Sequence, residues 1–228
     1  MAEAKDIKPS RIYLIRHGHS TANEKGVLAG RDYGVLLTER GVNQAAAVAE
    51  HLREINFSKI YSSPLPRCLE TVKPLLVGRG RKLIEDVDAI EMEYGQWSGK
   101  KLLVLSRKRL WRDIQKRPST VRFPDGESFQ EMQDRILEMI SRVALPGKNV
   151  VICSHGDVIK AALAGVLNLD LDDFQKLVID PASISIVEYS PRGSSLISSN
   201  QTGHLRDLKA TKKSRTSKLR LGGGSGAS

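Results

Sequence analysis

Apolar residues along this chain fall into short uninterrupted runs and longer segments in which they recur every three or four positions. Residues 11–15 are a run of the first kind, which predicts a buried strand leading into a loop at Arg16-His17-Gly18. Residues 38–55 are of the second kind, with Ala45, Val48, Ala49 and Leu52 on one side of a predicted helix. A strand and loop over 59–66 precede a helix from Arg67 towards Val77, ended by the Gly78-Arg79-Gly80 turn, and residues 82–85 suit a further strand. A basic, loop-rich insertion is expected over residues 100–125. After it, Phe129, Met132, Ile136, Met139, Ile140 and Val143 mark a helix over 127–143. Residues 149–153 form an unbroken apolar strand, with a helix over 157–167 behind it.

This alternation implies an α/β fold of three layers, a mostly parallel sheet with helices on both faces. The 228 residues suffice for one core. One domain is expected over residues 11–204, with an N-terminal extension at 1–10 and a tail at 205–228. In such a sheet the loops at the carboxyl ends of the strands form the crevice, and helix N-termini there favour anions.

Charge changes this picture little. The formal net charge is +10, but from Arg206 onward seven cations face only Asp207, so the tail carries +6 and the rest +4. That tail lacks aromatics, ends in Gly and Ser, and is expected to be disordered, binding polyanions at most weakly. Over residues 100–117, Lys100, Lys101, Arg107, Lys108, Arg109, Arg112, Lys116 and Arg117 face Asp113 alone, as a solvated face or as a lid that attracts anions. The charged N-terminus lacks the apolar core of a signal peptide, and no apolar run reaches bilayer length. A cytoplasmic protein is expected, without membrane or nucleic acid as partner. Cys68 and Cys153 match no metal-ligand spacing and are expected as buried free thiols.

Two loops end in His-Gly: Ile15-Arg16-His17-Gly18 and Cys153-Ser154-His155-Gly156. Each His follows an apolar strand and precedes a glycine, which lets the backbone pass close to a ligand. A lone histidine is more often structural, which suffices for His51 and His204. For the paired loops, an imidazole beside an arginine suits attack on phosphorus while the guanidinium holds phosphoryl oxygens. Other chemistries lack their signatures: there is no Cys-x5-Arg, no GxxxxGK[ST] and no GxSxG, and Asp86-Val87-Asp88 lacks the turn an aspartyl nucleophile needs.

The segment Ile12-Tyr13-Leu14-Ile15-Arg16-His17-Gly18-His19-Ser20-Thr21-Ala22-Asn23 resembles the opening signature of the histidine phosphatase superfamily, also called phosphoglycerate-mutase-like. Four further segments are similar to its motifs in order: Leu37-Thr38-Glu39-Arg40-Gly41 with Gln44-Ala45, Ser62-Ser63-Pro64-Leu65-Pro66-Arg67 with Thr71, Glu91-Met92-Glu93-Tyr94-Gly95-Gln96-Trp97-Ser98-Gly99, and Ser154-His155-Gly156. The resemblance implies that His17 becomes phosphohistidine, that Arg16, Arg67 and His155 hold the phosphoryl oxygens with Asn23 as a neutral donor, and that Glu91 is the general acid. It implies a small phosphorylated metabolite as substrate, and no cofactor or metal.

Blander roles compete at several positions. Asn23 also suits a turn, Ser20 and Thr21 suit turn stabilisation, and Glu127-Ser128 suits a helix start. Glu93 competes with Glu91, since i, i+2 spacing sets both on one face of a strand. Within the superfamily, Ser20 and Gly156 depart from the acid phosphatase branch, and His19 stands where mutases carry Glu or Gln. The 94–99 segment is nearer the phosphatases. Phosphatase activity is expected, phosphomutase is the alternative, and a non-catalytic binding protein is a distant third.

Overall fold

The structure, a computed structural model, describes residues 8–206 and residue 208. Most of the expected extension and tail thus lies outside the described residues. The first strand is β1 (Ser10–Arg16). The other strands are β2 (Lys59–Ser62), β3 (Leu83–Glu85), β4 (Asn149–Ser154), β5 (Ile184–Ser190) and β6 (Gly193–Gln201), in the order β3-β2-β4-β1-β5-β6. Pairings of β2 with β3, β2 with β4 and β1 with β4 are parallel; β5 and β6 add an antiparallel edge beside β1.

Both faces of this sheet are covered, which is why β1 and β4 are continuous apolar runs. Ile12, Leu14, Val150 and Ile152 point into one core with α6 (Phe129–Val143) and α7 (Gly156–Val166). Tyr13, Ile15, Val151 and Cys153 point into a second, with α2 (Glu39–His51) and α3 (Pro66–Val72). The three-layer reading stands.

Several local expectations differ. The helix predicted over 38–55 ends at His51, and Arg79 from the turn after α3 donates to the carbonyls of Leu52 and Ile55 there. The single helix from Arg67 towards Val77 is α3 followed by a 3-10 turn at Lys73–Leu76, because Pro74 has no N–H to continue the α ladder. A short helix not foreseen, α1 (Thr21–Lys25), follows the first loop. The insertion is more ordered than loop-rich. It forms α4 (Leu102–Leu105), α5 (Arg109–Lys116) and a 3-10 turn at Pro118–Thr120, and α5 buries Trp111 and Ile114 while its cations face outward.

Candidate active site

Because β2, β4 and β1 are parallel neighbours, their carboxyl ends deliver three loops to one place. Arg16 pairs in register with Ser154, and the His17 N–H donates to the Ser154 carbonyl at 3.0 Å. The two His-Gly loops therefore lie side by side, with the His17 and His155 ring centroids 5.2 Å apart. The next loop, after β2, brings Ser63 Oγ to 2.9 Å from His155 Nε2. One turn further on, α3 supplies Arg67, and Thr71 Oγ1 donates to the Arg67 carbonyl while accepting from the Gly18 N–H. Gly18 itself is needed for packing more than for a ligand: a Cβ there would lie 2.7 Å from the Gly41 carbonyl oxygen on α2.

Each expected residue in this cluster is buried. Arg16 and Arg67 have no exposed surface. Arg16 Nη1 donates to Ile179 O at 2.6 Å, and Arg67 donates to Gly30 O and Asp32 O. Arg67 thus rests on carbonyl dipoles, and its buried Nε has no hydrogen-bond partner among the described residues. Burying a charge on neutral partners is unfavourable unless an anion completes it.

His17 Nδ1 donates to the Gly18 carbonyl at 2.7 Å, which leaves the lone pair on Nε2. Burial first, then the guanidiniums of Arg67 and Arg16, hold its imidazole well below the ordinary histidine range. It is therefore neutral at physiological pH, the state in which a ring nitrogen can attack. Burial and Arg67 likewise push His155 well down. Its Nδ1 lies 3.7 Å from Glu91 Oε2, a contact with a neutral ring and no ion pair.

Glu91 and Glu93 separate sharply. The backbone at 90–94 is not a strand, so the i, i+2 argument for a shared face fails. Glu91 points in and is 4% exposed; Glu93 faces outward to Arg31. Burial, then the Asp157 charge, raises the Glu91 carboxyl to about 7, against the opposite pull of Arg67 and Arg16. A carboxyl poised there can both give and take a proton near neutral pH.

Asn23 is less centrally placed. Its Oδ1 accepts from the Ser20 N–H and hydroxyl in the capping box of α1, the blander role weighed for both residues. His51 and His204 stack on each other at 5.1 Å, where α2 meets the last 3-10 turn. Cys68 and Cys153 are buried free thiols as expected, with Cys68 Sγ 3.5 Å from His155 Nε2. Two partners escaped notice in the sequence, Tyr94 through its hydroxyl and Asp157. The latter sits two residues after His155, and that spacing was the only available hint.

The sequence profile of the histidine phosphatase superfamily (branch 1) matches residues 12–202. The chain belongs to this family. Phosphoserine phosphatase 1 of Hydrogenobacter thermophilus is 30% identical over 208 residues, covering 87% of this histidine phosphatase and 95% of that protein. A 2,3-bisphosphoglycerate-dependent phosphoglycerate mutase of Thermoplasma acidophilum is 29% identical over 176 residues, covering 77% and 85%. Among solved structures, phosphoserine phosphatase from Entamoeba histolytica in complex with 3-phosphoglyceric acid superposes with a TM-score of 0.78 at 25% identity, covering 86% of this chain and 99% of that one. No helix among the described residues is long and apolar enough to cross a membrane.

Proposed function

We propose that this histidine phosphatase hydrolyses small phosphomonoesters through a phosphohistidine on Nε2 of His17. The observation that carries this reading is the Nδ1–H bond to Gly18 O, which leaves the lone pair on Nε2 of a buried imidazole that feels the charges of Arg67 and Arg16. In the first step Nε2 attacks phosphorus, the ester P–O bond breaks, and the departing oxygen takes the Glu91 proton. Arg16 and Arg67 hold the equatorial oxygens as charge spreads over them. The Ser63 hydroxyl, which accepts from the Leu65 N–H, lies 2.9 Å from His155 Nε2; in this reading it donates there, and His155 Nδ1–H donates to the phosphoryl group. Asn23 contributes through Nδ2, its Oδ1 being held in the cap. In the second step Glu91 takes a proton from water, the water oxygen bonds phosphorus, the P–N bond breaks, and His17 returns to its neutral form.

Phosphoserine is the first substrate to test, because it is what the similar Hydrogenobacter and Entamoeba proteins are named for. The mutase reading differs only in the fate of phosphohistidine, and the Thermoplasma relative keeps it as the alternative. A non-catalytic binder ranks last, since every residue type the chemistry needs is present. We infer the cytosol as the compartment, where two buried thiols stay reduced. Nucleic acid has no part in this reading.

The test is a panel of phosphomonoesters and 3-phosphoglycerate, with and without 2,3-bisphosphoglycerate, on wild type and His17→Ala. Phosphate release that disappears in His17→Ala, with an acid-labile phosphoenzyme trapped in wild type, is the expected result. Release that survives the substitution rejects the mechanism. Bisphosphoglycerate-dependent isomerisation without phosphate release selects the mutase.

A further inference from the structure

Three charged side chains, one of them far from the other two in sequence, converge behind the segment that carries Glu91. Arg31 Nε donates to the Glu91 carbonyl at 2.9 Å, and Arg135 Nη2 reaches the same oxygen at 3.3 Å. Between the two guanidiniums lies Glu127, whose Oε2 is 3.2 Å from Arg31 Nη2 and whose Oε1 is 2.8 Å from Arg135 Nη2. Glu127 Oε1 also accepts from the Glu93 N–H at 3.0 Å, and Arg135 Nη1 donates to Asp88 O at 2.6 Å. The backbone on both sides of Glu91 is thereby tied at residues 88, 91 and 93. Glu127 and Arg135 side chains are only 13% and 15% exposed, so water competes little for these bonds.

Arg31 has a second connection. Its chain neighbours Gly30 and Asp32 supply the two carbonyls to which Arg67 donates. One three-residue stretch therefore holds Arg67 through its backbone and Glu91 through its side chain. Any shift of residues 30–32 moves the phosphate-binding guanidinium and the carboxyl together.

We propose that Arg31, locked by Glu127 and Arg135, is a positioning residue that fixes the Glu91 carboxyl relative to the phosphoryl group on Arg67. The inference rests on the assignment of Glu91 as proton donor. A residue acting only through that donor matters in proportion to how much the leaving group needs a proton. An alkoxide must be protonated as it leaves; p-nitrophenolate departs unassisted.

The test compares kcat/KM for phosphoserine, an alkyl phosphate, and p-nitrophenyl phosphate, in wild type, Arg31→Gln, Glu127→Gln and Glu91→Gln. Arg53→Gln, which breaks exposed pairs with Glu50 and Glu54 away from the clamp, is the control. In Arg31→Gln and Glu127→Gln the alkyl phosphate is expected to lose about 10- to 100-fold, while p-nitrophenyl phosphate stays within about threefold. Equal losses on both substrates, or none on either, in variants that keep the wild-type melting temperature would overturn the positioning role. Leaving-group dependence in Glu91→Gln but not in Arg31→Gln sinks the positioning role alone. Its absence from Glu91→Gln sinks the donor assignment and the inference with it. Should Arg31→Gln fail to fold, Glu127→Gln answers the same question from the other side of the clamp.

Discussion

The Tyr94 hydroxyl donates to Asp157 Oδ2 at 2.7 Å, and neither side chain has any exposed surface. Lys160 Nζ lies 4.0 Å from the other oxygen of Asp157 and rests over the Phe174 ring while donating to Gln175. After burial itself, the Asp157 charge does most to raise Glu91 to about 7; Arg67 and Arg16 oppose it. Asp157→Asn keeps an acceptor for Tyr94 but removes the charge, so the Glu91 carboxyl should ionise at lower pH. The step that needs protonated Glu91 then fails earlier, and the alkaline limb of kcat/KM should move to lower pH. A pH profile of phosphate release checks this, and a limb that stays in place removes Asp157 from the account.

The same raised carboxyl predicts a link between stability and pH. Below the ordinary range near 4.5, Glu91 is protonated in both folded and unfolded chains, and stability is full. Between there and about 7 the unfolded chain loses the proton and the folded chain keeps it, so stability falls as pH rises and levels off above 7. Glu91→Gln does not titrate and still offers an oxygen to the Met92 N–H. It should lose activity and gain melting temperature, more at pH 8 than at pH 5, with each kcal/mol relieved worth about 2–4 °C. An equal difference at both pH values contradicts the buried, proton-holding Glu91.

What the sequence made legible follows from physical range. β1 and β4 stood out because a sheet covered on both faces demands unbroken apolar runs, and the two His-Gly loops follow from where those runs end. The register of the family segment favoured Glu91 over Glu93, but the local pattern did not separate them, since the strand that would have set their faces does not form; the fold turns one inward. The Arg31, Glu127 and Arg135 clamp was invisible for another reason. Arg31 lies about a hundred positions from Glu127 and Arg135, and each alone looks like a surface charge. In the insertion, the density of Lys and Arg hid the i, i+3 pair Trp111 and Ile114 that anchors α5. The Ser-rich edge strand β6 carries too weak a pattern to register.

Metal dependence gives a third prediction. Among the described residues no cluster of three or more His, Cys, Asp or Glu side chains is arranged to hold a metal ion. The proposed chemistry neutralises the phosphoryl group with Arg16, Arg67 and His155, a task other phosphoryl-transfer enzymes share with Mg²⁺. Millimolar EDTA should leave phosphate release unchanged. A complete loss restored only by added metal would defeat the three-residue cradle.

The last prediction concerns the packing beneath His17. Gly41, in the first turn of α2, donates its N–H to the capping Thr38 hydroxyl and lies so close to the loop that carries His17 that a Cβ would sit 2.1 Å from His19 O. The contacted atoms are backbone and cannot rotate away, so the loop or the helix must move. In an unhindered helix, Gly→Ala gains roughly 1 kcal/mol. Here overpacking should reverse the sign, with Gly41→Ala losing about 1–3 kcal/mol or more. Because His19 is two residues from His17, the proposed nucleophile, kcat should fall with it. Gly203→Ala, where an added Cβ meets nothing within 4 Å, is the control and should match wild type. Chemical denaturation and kinetics on the three proteins decide the matter: a Gly41→Ala chain as stable and active as wild type would show that the loop under His17 has room to yield.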